Sequence, residues 1–332
     1  MHSSNSEDRL DKLEECVDRA DTPGALELAK VVLGDSRDAT ELAVTGKLLE
    51  RIREPEAARR AYVRAIELDP RLALAHSFLG RLVMKEGNLE EAIAYLTEAV
   101  RLQPGDVVSL TFLGVACSDA GRREEGNSWL RKALDIEPSY DEANYNLGLN
   151  LRDVDPGEAK LRFSKALESD PMYELAHREL GGLLGRESAS PEAEYHLRRA
   201  IELRPTDGWA HVYFGNYLLD HGAADRAITE FERAAEVAPH ASYPLWSLAA
   251  LYETQHDLEK AAALYRRALA IEPDDVVANK NFARMLLEMG EQRTAKALLK
   301  RALFLDPKYE AAKRLLERIE PLGQYEDGPH DT

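Results

Sequence analysis

The stretch RLALAHSFLGRLVMKEGNLEEAIAYLTEAVRLQP, residues 71–104, decides the fold. It holds two amphipathic segments around a polar break at Lys85–Asn88 and closes on a proline. Apolar residues recur three and four apart in each half, the period of a helix with one buried face. The closing proline is one of a series. Pro70, Pro104, Pro138, Pro171, Pro205, Pro239, Pro273 and Pro307 stand 34, 34, 33, 34, 34, 34 and 34 residues apart. Five positions before each lies an alanine: Ala65, Ala99, Ala133, Ala166, Ala200, Ala234, Ala268 and Ala302. A fixed period of this length marks a repeat architecture.

Further columns follow the same period. Gly46, Gly80, Gly114, Gly148, Gly181 and Gly215 are continued by Ala249 and Ala283, with a bulky residue just before in every unit except at Thr45. A second small column, Ala58 through Ala92, Gly126, Ala159, Ala193, Ala227 and Ala261 to Ala295, falls in the second half of each unit. Two helices approach closely only where neither presents a large side chain, so these columns mark where the paired axes meet. Proline ends the second helix because it lacks an amide hydrogen and disfavours helix in the residue before it. The remaining prolines obey this map. Pro55, Pro156 and Pro191 fall in turns inside a unit, Pro244 in the first turn of a helix, and Pro23, Pro321 and Pro329 outside the eight units.

These columns, with an aromatic or leucine four residues after the second small one (Tyr62, Leu96, Leu130, Phe163, Leu197, Phe231, Tyr265, Leu299), resemble the tetratricopeptide-repeat (TPR) family. The tryptophan often found early in that family's first helix is replaced here by leucine, histidine or asparagine. The resemblance implies an all-α fold, a right-handed α-α superhelix of eight full repeats with helical caps, whose first helices line a concave groove. The expected divisions are a degenerate helical hairpin over 1–38, repeats over 39–307, a solvating helix over 308–320 and a disordered acidic tail over 321–332.

Composition narrows the function. A net charge of −17 makes phosphate backbones and anionic lipid poor partners. Apolar runs are short and broken by charge, so no transmembrane helix is expected, and the acidic N-terminus lacks the layout of a signal peptide. Cys16 and Cys117 form neither a disulfide framework nor a metal-ligand spacing, which fits a reducing cytoplasm. Asp153–Gly157 has the look of a calcium loop, but Ser164 stands where the bidentate glutamate is needed. His76, His177 and His211 share one column and read as helix packing in preference to metal ligands. No grouping of nucleophile, base and orienter is present. The chain is expected to be no enzyme and to need neither cofactor nor metal.

The expected role is a protein–protein interaction scaffold that binds a peptide or partner helix in the groove. Alternatives are a scaffold acting through its convex face or self-association, and an arm of a separately encoded enzyme. Phe78, Phe112, Tyr145, Trp209, Tyr213, Tyr243 and Trp246 point away from the core by helical phase. Trp209 with Tyr213, and Tyr243 with Trp246, share helical faces in adjacent repeats, a candidate binding cluster. Lys47, Arg51, Arg81 and Lys85 form matching pairs in repeats one and two and suit a partner with an acidic segment. The resemblance adds Lys280, Asn281 and Arg284, a fragment of the family's chaperone-tail clamp, and Asn146 with Asn281, which match groove asparagines that grip a peptide backbone.

Overall fold

The computed structural model describes residues 3–188 and 190–319. The segment 321–332, expected as a disordered tail, lies outside the described residues. Among the described residues there are nineteen helices and no strand. The chain divides after Ala176 into two compact units.

The first unit begins with α1 (Ser3–Asp18) and α2 (Thr22–Asp35). Four pairs follow: α3 (Ala39–Arg51) with α4 (Pro55–Leu68), α5 (Ala73–Lys85) with α6 (Leu89–Leu102), α7 (Val107–Asp119) with α8 (Arg123–Ile136), and α9 (Asp141–Leu151) with α10 (Pro156–Ser169). The second unit starts inside α11 (Glu174–Glu187), at His177, and goes on with α12 (Pro191–Leu203), then α13 (Gly208–Asp220) and α14 (Ala224–Val237). It continues through α15 (Tyr243–Thr254) and α16 (Leu258–Ile271), α17 (Val276–Glu288) and α18 (Gln292–Leu305), and ends with α19 (Glu310–Ile319).

Local chemistry sets the helix ends. Pro55, Pro156 and Pro191 open α4, α10 and α12, where their missing amide costs nothing. At the other end, the residue before each periodic proline leaves the helical region, with φ between −125° and −137° and ψ between 67° and 93°. Asp69, for example, has φ −137° and ψ 93°, and its amide still donates to the carbonyl of Ala65. Gln103 caps α6 on Ala99 and Asp306 caps α18 on Ala302 in the same way. The proline thus stops the helix while the cap closes one of its open carbonyls.

The glycine column has a direct steric cause. A Cβ on Gly46 would stand 2.4 Å from the Tyr62 ring, on Gly80 2.7 Å from Leu96, and on Gly148 2.7 Å from Phe163. Each bulky partner belongs to the second helix of the same pair and is fully buried. The core of each unit is therefore a row of such seals, with the alanines packed around them.

A candidate protein-binding face in the second unit

Trp209 and Tyr213 on α13 come together with Tyr243 on α15, beside α11. With Gly182, Gly185, Arg186 and Asn216 they line a cavity of about 430 Å³. Trp209 is 50% exposed, and its ring lies 5.8 Å from Tyr243. Tyr243 in turn meets Trp246 edge-on at 4.5 Å. Trp246 is half-buried, and its buried indole Nε1 has no hydrogen-bond partner among the described residues. The four aromatics form one chain of ring contacts only in part, because Tyr213 is held separately.

Two glycines make the cavity floor. A Cβ at Gly182 would stand 2.6 Å from the Tyr213 ring and one at Gly185 2.8 Å from Tyr217, so both rings pack directly against α11 where it has no side chain. The Tyr213 hydroxyl donates to Glu179 at 3.1 Å, and Arg178 bridges Glu179 at 3.1 Å and Asp207 at 2.8 Å. Asp207 also accepts the Trp209 amide at 2.9 Å, which caps α13. One carboxylate thereby fixes both the network under Tyr213 and the start of the helix carrying Trp209. Asn216 donates to the Tyr243 hydroxyl at 3.1 Å.

The other expected residues are placed differently. Tyr145 is 7% exposed and packs on Phe163 and Tyr173 at 5.9 and 4.9 Å. It offers little surface. Phe78 and Phe112 lie beneath Lys47 and Arg81, at 5.7 and 4.3 Å from the ring centres. Arg51 pairs with Asp18 at 2.6 Å and Lys85 with Glu50 at 2.9 Å, so half of the basic set is already matched within the fold. Asn146 donates to the Glu142 carbonyl of its own helix at 2.7 Å. Arg284 pairs with Glu253 at 2.7 Å, and Lys280 donates to Asn281. Burial, with Arg284 nearby, holds the Lys280 ammonium below its ordinary pKa, while burial raises that of Glu253.

The histidine column is a set of packing clamps. His76 Nε2 lies 3.0 Å from the Pro70 carbonyl, and His211 Nε2 3.2 Å from that of Pro205. No group of three or more potential metal ligands occurs among the described residues. No described helix is long and apolar enough to cross a membrane. Cys117 is buried and free, its thiol pushed up to about 11, and Cys16 is also free.

Gly182, Gly185, Arg186, Asn216 and Tyr217 were not anticipated as site residues. One signal was available: LGGLLG at 180–185 has two glycines beyond the periodic one.

A sequence profile described as Tetratricopeptide repeat matches residues 44–107 and 214–276, and a second of the same description matches 254–319, together just over half of the chain. The chain belongs to the TPR family. No curated protein matches its sequence. Among solved structures this TPR chain is similar to one from the APC/C hetero-tetramer Cut9–Hcn1, with a TM-score of 0.64 and 14% identity. That match covers 89% of this chain and 59% of the other, so this chain spans less than two thirds of its neighbour. It is also similar to IFIT1 in a monomeric mutant with Gppp-AAAA (TM-score 0.63, 17% identity, 94% and 80% coverage) and to the human IFIT1 dimer with PPP-AAAA (0.62, 17%, 93% and 80%). These likenesses bear on the fold, an all-α helical-repeat superhelix. TPR repeats generally mediate protein–protein interaction.

Proposed function

We propose that the chain is a non-catalytic scaffold whose first-helix face in the second unit binds a peptide or helix of a protein partner. The observation that carries this reading is the half-exposed Trp209 at the mouth of a cavity walled by Tyr213 and Tyr243 and floored by glycine. Aromatic anchors beside a preformed pocket are where binding energy concentrates. A phosphate-rich ligand is disfavoured by the net charge of −17. With Arg51 and Lys85 neutralised, Lys47 and Arg81 are left to receive an acidic segment of the partner in the first unit. The two free cysteines support a reducing, cytoplasmic setting.

Peptides selected from a random display library on the full chain test the site. Trp209→Ala should weaken them by about tenfold or more, as for an interface anchor, while the unfolding midpoint stays in place. Selected peptides that bind this variant as well as the parent would remove the aromatic face from the account.

A further inference from the structure

The cavity on the aromatic face has an aromatic end and a charged end. Trp209 and Tyr243 stand in the first turns of α13 and α15, whereas Arg186 lies in the last turn of α11 and Asp220 closes α13. Arg186 and Asp220 are the two charged residues in the lining. They hold the same position of the repeat, so they stand side by side at the C-terminal ends of successive first helices.

Both charges are unmatched. In other repeats the charge at this position is taken up within the fold. Arg51 pairs with Asp18 at 2.6 Å, Lys85 with Glu50 at 2.9 Å, Asp153 with Arg152 at 3.6 Å and Glu288 with Arg284 at 3.3 Å. Among the described residues Asp119, in the first unit, has no such partner, and neither have Arg186 and Asp220. No ion pair joins these two to each other.

Their backbones are nevertheless tied together. His221, next to Asp220, places its Nε2 3.0 Å from the carbonyl of Gly185, next to Arg186. Its ring meets Tyr217 edge-on at 4.7 Å. This clamp joins the end of α11 to the end of α13, and a rim fixed beforehand costs less to bind. The C-terminal end of a helix carries partial negative charge, so the Asp220 carboxylate is opposed by its own helix. A cation brought to Asp220 relieves that opposition, while Arg186 in the matching place calls for a carboxylate.

We infer that the partner segment seated on this face is dipolar: it carries one carboxylate for Arg186 and one cation for Asp220, beside an apolar residue that enters the cavity. The inference rests on the aromatic face being the peptide site. A purely acidic segment would set a like charge against Asp220, and a purely basic one would set a like charge against Arg186. Side chains two apart in an extended segment share a face, so an acid, an apolar residue and a base at alternate positions all reach the cavity.

NMR titration of the full chain, read at the indole N–H of Trp209, tests this with acetyl-Glu-Ala-Phe-Ala-Lys-amide and three counterparts. In these the glutamate, the lysine or both are replaced by glutamine. The dipolar peptide should bind about fivefold tighter than the doubly replaced one, which is also neutral, and the margin should shrink at high salt. Arg186→Gln should make loss of the peptide's glutamate silent, and Asp220→Asn should do the same for its lysine, as double-mutant cycles read it. Both side chains are exposed, so the unfolding midpoint should stay in place. Equal affinity of the two neutral peptides, with Trp209 shifted by both, overturns the dipolar assignment and leaves the aromatic face standing. Affinity that follows the lysine alone and ignores Asp220→Asn overturns it as well. If none of the four shifts Trp209, the aromatic face and this assignment fall together.

Discussion

The hydroxyl of Tyr213 on α13 donates to Glu179 on α11 at 3.1 Å, and Glu179 is buried. This bond joins the first helices of two successive repeats and orients the ring at the cavity wall. Its neighbour Trp209 makes no comparable bond through its side chain. The two aromatics therefore separate into one that supports the face and one that it displays. Tyr213→Phe should cost about 1–3 kcal/mol in denaturant unfolding, because it leaves a buried carboxylate short of a donor. Trp209→Ala should cost less than about 1 kcal/mol, as a surface change.

Among the described residues, three that are not glycine adopt positive φ, including Arg53 at 62° and His256 at 62°. Both stand in the repeat position that Gly87, Gly121, Gly222 and Gly290 fill with φ near 80°. A side chain with a Cβ is strained there, and glycine is not. Arg53→Gly and His256→Gly should each raise stability by about 0.5–1 kcal/mol, read as higher denaturant midpoints.

His177 and His196 meet Nδ1 to Nδ1 at 2.7 Å, a contact that holds one proton. Burial first, and the neighbouring His177 second, lower the His196 pKa from 6.5 to about 4. The unfolded chain thus binds more protons than the folded one between these values, and stability rises with pH across that window. The thermal midpoint should fall as the solution is acidified from about pH 6.5 towards pH 4. His196→Gln should flatten this part of the profile, and an unchanged slope would mean that the pair is not its source.

The steric seal at Gly80 allows a coupled test. A Cβ there would stand 2.7 Å from Leu96, so Gly80→Val should destabilise the chain by about 1–3 kcal/mol through overpacking. Leu96→Ala opens space at the same point. The double variant should be more stable than the sum of the two losses predicts, which a double-mutant cycle measures.

The repeat was legible because its causes are local. Proline at 70 or 104 and glycine at 46 or 80 each answer a constraint inside one helix pair, and such constraints recur with the period. The aromatic face was legible as phase: Trp209, Tyr213 and Tyr243 do line one cavity. Exposure was not legible, since it depends on what the next first helix brings. Tyr173 covers Tyr145, and the rings of Phe78 and Phe112 lie under Lys47 and Arg81. Neither was the charge balance of the basic set, because Asp18 reaches Arg51 from thirty-three residues away.

Each glycine of the periodic column, from Gly46 to Gly215, closes on a bulky residue of its own hairpin, so that seal does not depend on which neighbour comes next. Length is consequently a free variable in this architecture. A whole period can be inserted or excised with the joints at the prolines and every remaining hairpin keeps its closure, whereas a cut between Gly80 and Leu96 strands both halves.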